Sequence, residues 1–149
     1  MKTTSPFLLF LFLLLNLSVY SQEPVLLKDI HPTSSGASGP YVEFNGEIYF
    51  TGFDGVTGLE PWVTDGTEAG TRLLKDIRPG TNSSDPHSLI AVGPKLYFFA
   101  NDGSAGNEIW SSDGTEFGTN GLSNILSGGS GQSNTTVITE YDGKAYFRA

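Results

Sequence analysis

Trp62-Val63-Thr64-Asp65-Gly66-Thr67-Glu68-Ala69-Gly70-Thr71 returns, 48 positions further on, as Trp110-Ser111-Ser112-Asp113-Gly114-Thr115-Glu116-Phe117-Gly118-Thr119. Other landmarks recur around it. Leu27-Lys28-Asp29-Ile30 returns as Leu74-Lys75-Asp76-Ile77 and fades to Ser123-Asn124-Ile125. Ile48-Tyr49-Phe50 returns as Leu96-Tyr97-Phe98 and as Ala145-Tyr146-Phe147. Asp54-Gly55 and Glu60 return as Asp102-Gly103 and Glu108. The chain therefore repeats a unit of about 48 residues some two and a half times.

Within a unit, apolar and polar residues alternate and aromatic and β-branched types abound, so each unit reads as four short strands. In the second unit they are expected near His87–Val92, Lys95–Ala100, Glu108–Ser111 and Thr119–Leu122. The first two strands are joined by Asn45-Gly46, Gly93-Pro94 and Asp142-Gly143 in the successive units. Asn-Gly and Asp-Gly suit a type I′ hairpin, which needs φ > 0 twice, and Gly-Pro suits type II′. Pro61 cannot donate to a ladder, so the third strand should begin or bend near it. Val25–Ile30 reads as a lone fourth strand that would complete the last sheet of a closed ring.

Four antiparallel strands per repeat predict an all-β fold of β-propeller-type blades, as an incomplete array of 2.5 units. A β-sandwich or a stacked solenoid of hairpins is the alternative, but a sandwich gives no reason for Trp at a fixed offset inside like flanks. The units run over about 25–71, 72–119 and 120–149, the last cut within its second strand, so the expectation is a fragment. Two and a half blades cannot close, since propellers have about four to eight.

The units resemble the ELW-x-x-DGT repeat family of secreted and surface Bacteroidota-type proteins. Gly58-Leu59-Glu60-Pro61-Trp62 and Gly106-Asn107-Glu108-Ile109-Trp110 carry the resemblance, with Pro61 and Ile109 in place of Leu. It covers about residues 25 to 149. It implies a propeller-like array and a type IX secretion route for the full-length protein. It implies no reaction and no catalytic residues.

The address is at the start. Lys2 precedes Phe7–Leu15, an unbroken apolar run, and Val19-Tyr20-Ser21 before Gln22 reads as a cleavage site. Residues 1–21 are thus expected to be a secretory signal peptide, leaving 22–149 as the repeat array. The run is shorter than the roughly 20 apolar residues of a membrane span. Among the 149 residues are 8 Lys+Arg, 16 Asp+Glu and no Cys, for a net charge of -8. That balance argues against a nucleic-acid partner, which needs a basic face. Without Cys there is no disulfide, Cys-zinc site or thiol catalysis. Charged residues at 16% and aromatics at 12%, with 19 Gly, mark a turn-rich folded chain rather than a disordered acidic one.

Residues present in every unit are expected to be structural. Trp62 and Trp110 should be buried, with Trp→Ala costing roughly 3–5 kcal/mol. Asp65-Gly66-Thr67 and Asp113-Gly114-Thr115 should close tight turns, the carboxylate taking backbone N–H groups two residues on. Asp54, Glu60, Asp65, Asp102, Glu108 and Asp113 form the weak alternative of a calcium site, though their spacing matches no EF-hand. No other cofactor is implied. His31 and His87 lack metal-ligand spacing and read as loop residues. Unshared Tyr41, Phe53, Arg72, Arg78 and Phe117 are where a private function would sit. The leading expectation is a non-enzymatic binding or scaffold module for a polysaccharide or surface protein. The alternative is part of a secreted carbohydrate-active hydrolase or lyase, whose paired acids no sequence pattern selects.

Overall fold

A computed structural model of the protein describes residues 26–31, 34, 36–104, 106–122 and 137–147. The expected signal segment 1–21 lies outside them. The described residues are all-β, with no helix. β1 (Ala37–Phe44), β2 (Glu47–Phe53), β3 (Leu59–Thr64) and β4 (Arg72–Leu73) form one antiparallel sheet in that order. β5 (His87–Val92), β6 (Lys95–Asn101), β7 (Asn107–Ser112) and β8 (Asn120–Gly121) form a second. β9 (Ile138–Tyr141) and β10 (Lys144–Phe147) form a two-stranded third.

The hairpin turns follow from their residues. Asn45 and Gly46 have φ of 54° and 79°, and Asp142 and Gly143 have 51° and 68°, the double positive φ of type I′. At Gly93-Pro94 the positive φ of 56° falls on the glycine, as type II′ requires. The two larger sheets share one register: Phe50 lies opposite Trp62, and Phe98 opposite Trp110. Pro61 sits inside β3, opposite Thr51. Its carbonyl accepts the Leu74 amide at 2.9 Å, so its ring nitrogen faces the β4 side, where the ladder has ended at Leu73. The missing donor therefore costs little.

The sheets stack by opposite faces. Phe44, Tyr49 and Val63 of the first sheet meet Leu89, Leu96, Phe98, Ala100 and Trp110 of the second, with Leu74 and Ile77 of the connector in the same core. The other face of the second sheet, with Phe99 and Ile109, packs on Ile138, Ala145 and Phe147 of the third. The first strands stand side by side, β1 against β5 and β5 against β9.

The structure departs from the expected lone strand at Val25–Ile30. Residues 26–30 belong to no strand, and Val25 is outside the described residues. The reason is visible at the matching place one unit on. Only Arg72 and Leu73 pair with β3; Lys75-Asp76-Ile77 then leaves the sheet as a connector. Lys28 and Lys75 each donate to a carbonyl of the following Asp-Gly-Thr loop, though at different positions in it: Lys28 to Thr71 at 2.7 Å and Lys75 to Glu116 at 3.2 Å. The first sheet also closes at Leu73, two residues past the sequence boundary at Thr71.

Candidate functional site

The shared Asp-Gly-Thr-x-x-Gly-Thr loops follow β3 and β7 and build the same bond set twice. Asp65 Oδ1 accepts the Thr67 amide at 2.9 Å and its hydroxyl at 2.7 Å; Asp113 Oδ1 accepts the same pair from Thr115 at 3.0 and 2.7 Å. The Gly70 amide donates to Thr67 Oγ1, and the Gly118 amide to Thr115 Oγ1, both at 2.9 Å. The Thr71 hydroxyl reaches the Thr67 carbonyl, and that of Thr119 the Thr115 carbonyl. Thr64 pairs by its hydroxyl with Thr71, as Ser112 does with Thr119, each at 2.7 Å. A Cβ on Gly70 or Gly118 would land on the Asp65 or Asp113 carboxylate. Gly66 and Gly114 hold φ of 87° and 97°. Bonds from Thr67 and Thr115, side chain first and then backbone, hold the Asp65 and Asp113 carboxyls below the usual range.

Asp54 and Asp102 close the loops after β2 and β6. Asp54 Oδ1 takes the Val56 and Thr57 amides, both at 2.8 Å, and Asp102 Oδ1 takes the Ser104 amide at 2.8 Å and hydroxyl at 2.7 Å. Partial burial pushes the Asp54 carboxyl up, but the bonds from Thr57 and Val56 outweigh it and leave it below its ordinary value.

Glu60 has a different role, which its sequence context does not announce. It is fully buried on β3. Its carboxylate accepts the Ile77 amide at 2.9 Å, the Ser84 amide at 3.0 Å and the Ser84 hydroxyl at 2.6 Å. It thus pins the connector to the sheet it leaves, just before β5 begins. Burial pushes its carboxyl above the usual value, opposed by the bonds from Ser84 and Ile77. Glu108 is buried at the matching place on β7. The positions matching Ile77 and Ser84 there fall in 123–136, outside the described residues. The only hints in the sequence are that Glu-x-Trp recurs and that a Lys-Asp-Ile segment follows.

Trp62 and Trp110 are buried on β3 and β7. Tyr49 is buried between the sheets, its hydroxyl donating to Glu47 Oε2 at 3.0 Å; burial first, and Glu47 second, hold its phenol far above the usual range. Of the six acids offered for calcium, Glu60 and Glu108 lie on β3 and β7, and Asp54, Asp65, Asp102 and Asp113 lie in four separate loops. Among the described residues, no three or more His, Cys, Asp or Glu gather as a metal site.

The unshared residues scatter. Arg72 pairs with Glu47 at 3.0 Å. Arg78 donates to the Ser83 carbonyl at 3.3 Å. His31 stacks on Phe53, and His87 on Phe99. Phe117 stands on the β7–β8 loop with 95% of its surface exposed, and Tyr41 and Val56 are also exposed. Among the described residues no helix is long and apolar enough to cross a membrane. Comparison with family models, with curated proteins and with solved structures found no match.

Proposed function

We propose that the chain is a β-propeller-type array of four-stranded blades, akin to the ELW-x-x-DGT repeat proteins, secreted or held at the cell surface, and that it works as a binding or scaffold module. Support for the blade reading comes from the stacking: two like sheets, each ordered from first strand to fourth, and the two-stranded third set their first strands side by side. The binding role rests on one observation about where the recurring side chains go. The shared Trp, Asp, Thr and Glu60 are taken up in holding strands, loops and connectors, while large exposed apolar side chains stand where the units differ. Phe117 replaces Ala69, Val56 is replaced by Ser104, and Tyr41 by Leu89. An exposed ring at a loop tip is a ready contact for a sugar face or an apolar side chain of a partner.

The test uses the purified protein in affinity electrophoresis against gels holding single soluble polysaccharides, with a reducing-sugar assay on the same mixtures. We expect retardation without release of reducing ends, weakened by Phe117→Ala. Release of reducing ends, or of unsaturated sugars, would turn the reading to the hydrolase or lyase. Because the shared acids are engaged in turn bonds, we also expect millimolar calcium to leave the melting temperature unchanged. A rise that EDTA reverses would restore the calcium site.

A further inference from the structure

Phe117 stands on the β7–β8 loop, and the stack of sheets itself leaves it open. Its ring is 95% exposed although the preceding sheet is in place. Ala69, its match one unit earlier, is exposed although the following sheet is in place. Neither neighbour in the stack therefore covers this position. The repeated Asp-Gly-Thr bond set holds the loop beneath, so the ring has a fixed base. Its surroundings are polar. Asp113, Thr115 and Glu116 on the same loop and Asn120 at the start of β8 are exposed. The Asn120 side-chain amide donates to the Phe117 carbonyl at 3.0 Å, which sets it beside the residue that carries the ring. The Lys75 ammonium is engaged by the Glu116 carbonyl at 3.2 Å, and Arg72 by the Glu47 carboxylate at 3.0 Å.

Resting on the binding role given above, we propose that the Phe117 loop takes an uncharged sugar of a polysaccharide. The Phe117 ring stacks on one face of the sugar, and Glu116 and Asn120 reach its hydroxyls. The size of the apolar contact favours a sugar over a protein. One aromatic ring buries roughly 150–250 Å². A stable protein interface buries about 800 Å² on each side, around a core depleted of charge. Here Thr115 and Glu116 directly precede the ring and Asn120 follows it closely. A pyranose matches that arrangement, because its C–H bonds make one apolar face and its rim carries hydroxyls that need donors and acceptors. Charge then selects among sugars. The chain has a net charge of -8, and Asp113 and Glu116 flank the ring. With Lys75 and Arg72 engaged elsewhere, a uronate or sulfate group meets repulsion at this loop.

The test is depletion of the purified protein from solution by polysaccharides coupled to beads. Mannan, amylose and a mixed-linkage glucan are the neutral probes; polygalacturonate and heparin are the anionic ones. The native protein should be depleted by at least one neutral probe and by neither anionic one. Binding should be the same at about 0.05 and 0.5 M salt, although the Debye length changes roughly threefold. Phe117→Ala should weaken it about tenfold, and Phe117→Trp should retain it, since a ring face is what the sugar needs. Both variants change an exposed position, so their circular dichroism spectra should match the native one. Depletion by the anionic probes that falls with salt overturns the proposal. So does neutral binding that survives Phe117→Ala, and in both cases the chain remains a binding module. Depletion by none of the five overturns the proposal together with the polysaccharide-binding role. Phe117-dependent binding accompanied by release of reducing ends upholds the sugar site and overturns the non-enzymatic reading instead.

Discussion

At the scale of single residues, Glu60 shows how a buried carboxyl is held by hydrogen bonds alone. Three donors surround its carboxyl: the Ile77 amide, and the Ser84 amide and hydroxyl, which also reach the Leu59 carbonyl at 3.0 and 3.3 Å. Glu60→Ala takes the acceptor from the buried Ile77 amide, at about 1–3 kcal/mol, while the Ser84 donors keep the Leu59 carbonyl. We expect a loss of about 1–3 kcal/mol in urea unfolding, and an unchanged midpoint would mean the clamp is dispensable. Its pH dependence has a definite sign. Burial raises the folded-state value, so the stability that Glu60 contributes is complete below its unfolded value of about 4.3 and is lost as pH rises through the folded one. The stability of the native protein relative to Glu60→Gln, which does not titrate, should therefore fall as pH rises from acid to neutral. A difference that grows over that range contradicts it. Asp54, Asp65 and Asp113 act in the opposite direction, since their depressed values lend stability that is lost as pH falls. Trp110, buried in the core between the first two sheets, should cost about 3–5 kcal/mol when cut to Ala.

At the scale of the element, the Asp-Gly-Thr loop is a local object, and that is why it was legible. Its bonds join residues two to seven positions apart, such as Thr67 to Asp65 and Thr71 to Thr64. Each letter of the motif has a use: a carboxylate to accept, a glycine at positive φ, a hydroxyl that both donates and accepts, and a glycine under the carboxylate. Gly118→Ala tests the last of these, because its methyl must displace the Asp113 carboxylate. Overpacking of this kind typically costs about 1–3 kcal/mol, and we expect a lowered urea midpoint of that size, with Phe117→Ala as the neutral control on the same loop. The strands and hairpins were legible for the same reason, since alternation and Asn-Gly are local signals. The Glu60 clamp was not. Its partners are 17 and 24 residues away and include backbone amides, which every residue but proline has and which therefore leave no mark in a sequence. Leu27-Lys28-Asp29-Ile30 misled for a related reason: its return as Leu74-Lys75-Asp76-Ile77 marks a place in the repeat, but at that place the chain runs as a connector that passes from one sheet to the next.

At the scale of the whole molecule, stability is passed along the stack and is not uniform. The first and second sheets share the larger core, and the Glu60 clamp and the Leu74–Ile77 connector bind both. A strand pair in the middle, such as β6 with β7, is covered on both faces, one by each neighbouring sheet. Among the described residues, only one face of the β9–β10 pair is covered, with Ile138 and Phe147 inward and Tyr141 and Tyr146 outward. An isolated two-stranded ladder is marginal in water, and this one gains its order from Phe99 and Ile109. Opening β9–β10 therefore exposes less apolar surface than opening β6–β7, and it should occur at lower free energy. In native-state hydrogen exchange, the amides paired between β9 and β10 should exchange about tenfold or more faster than those paired between β6 and β7. If β6–β7 amides exchange at the same rate as β9–β10, the three sheets open as one unit, and the covered and half-covered ladders are equal in strength despite their unequal burial.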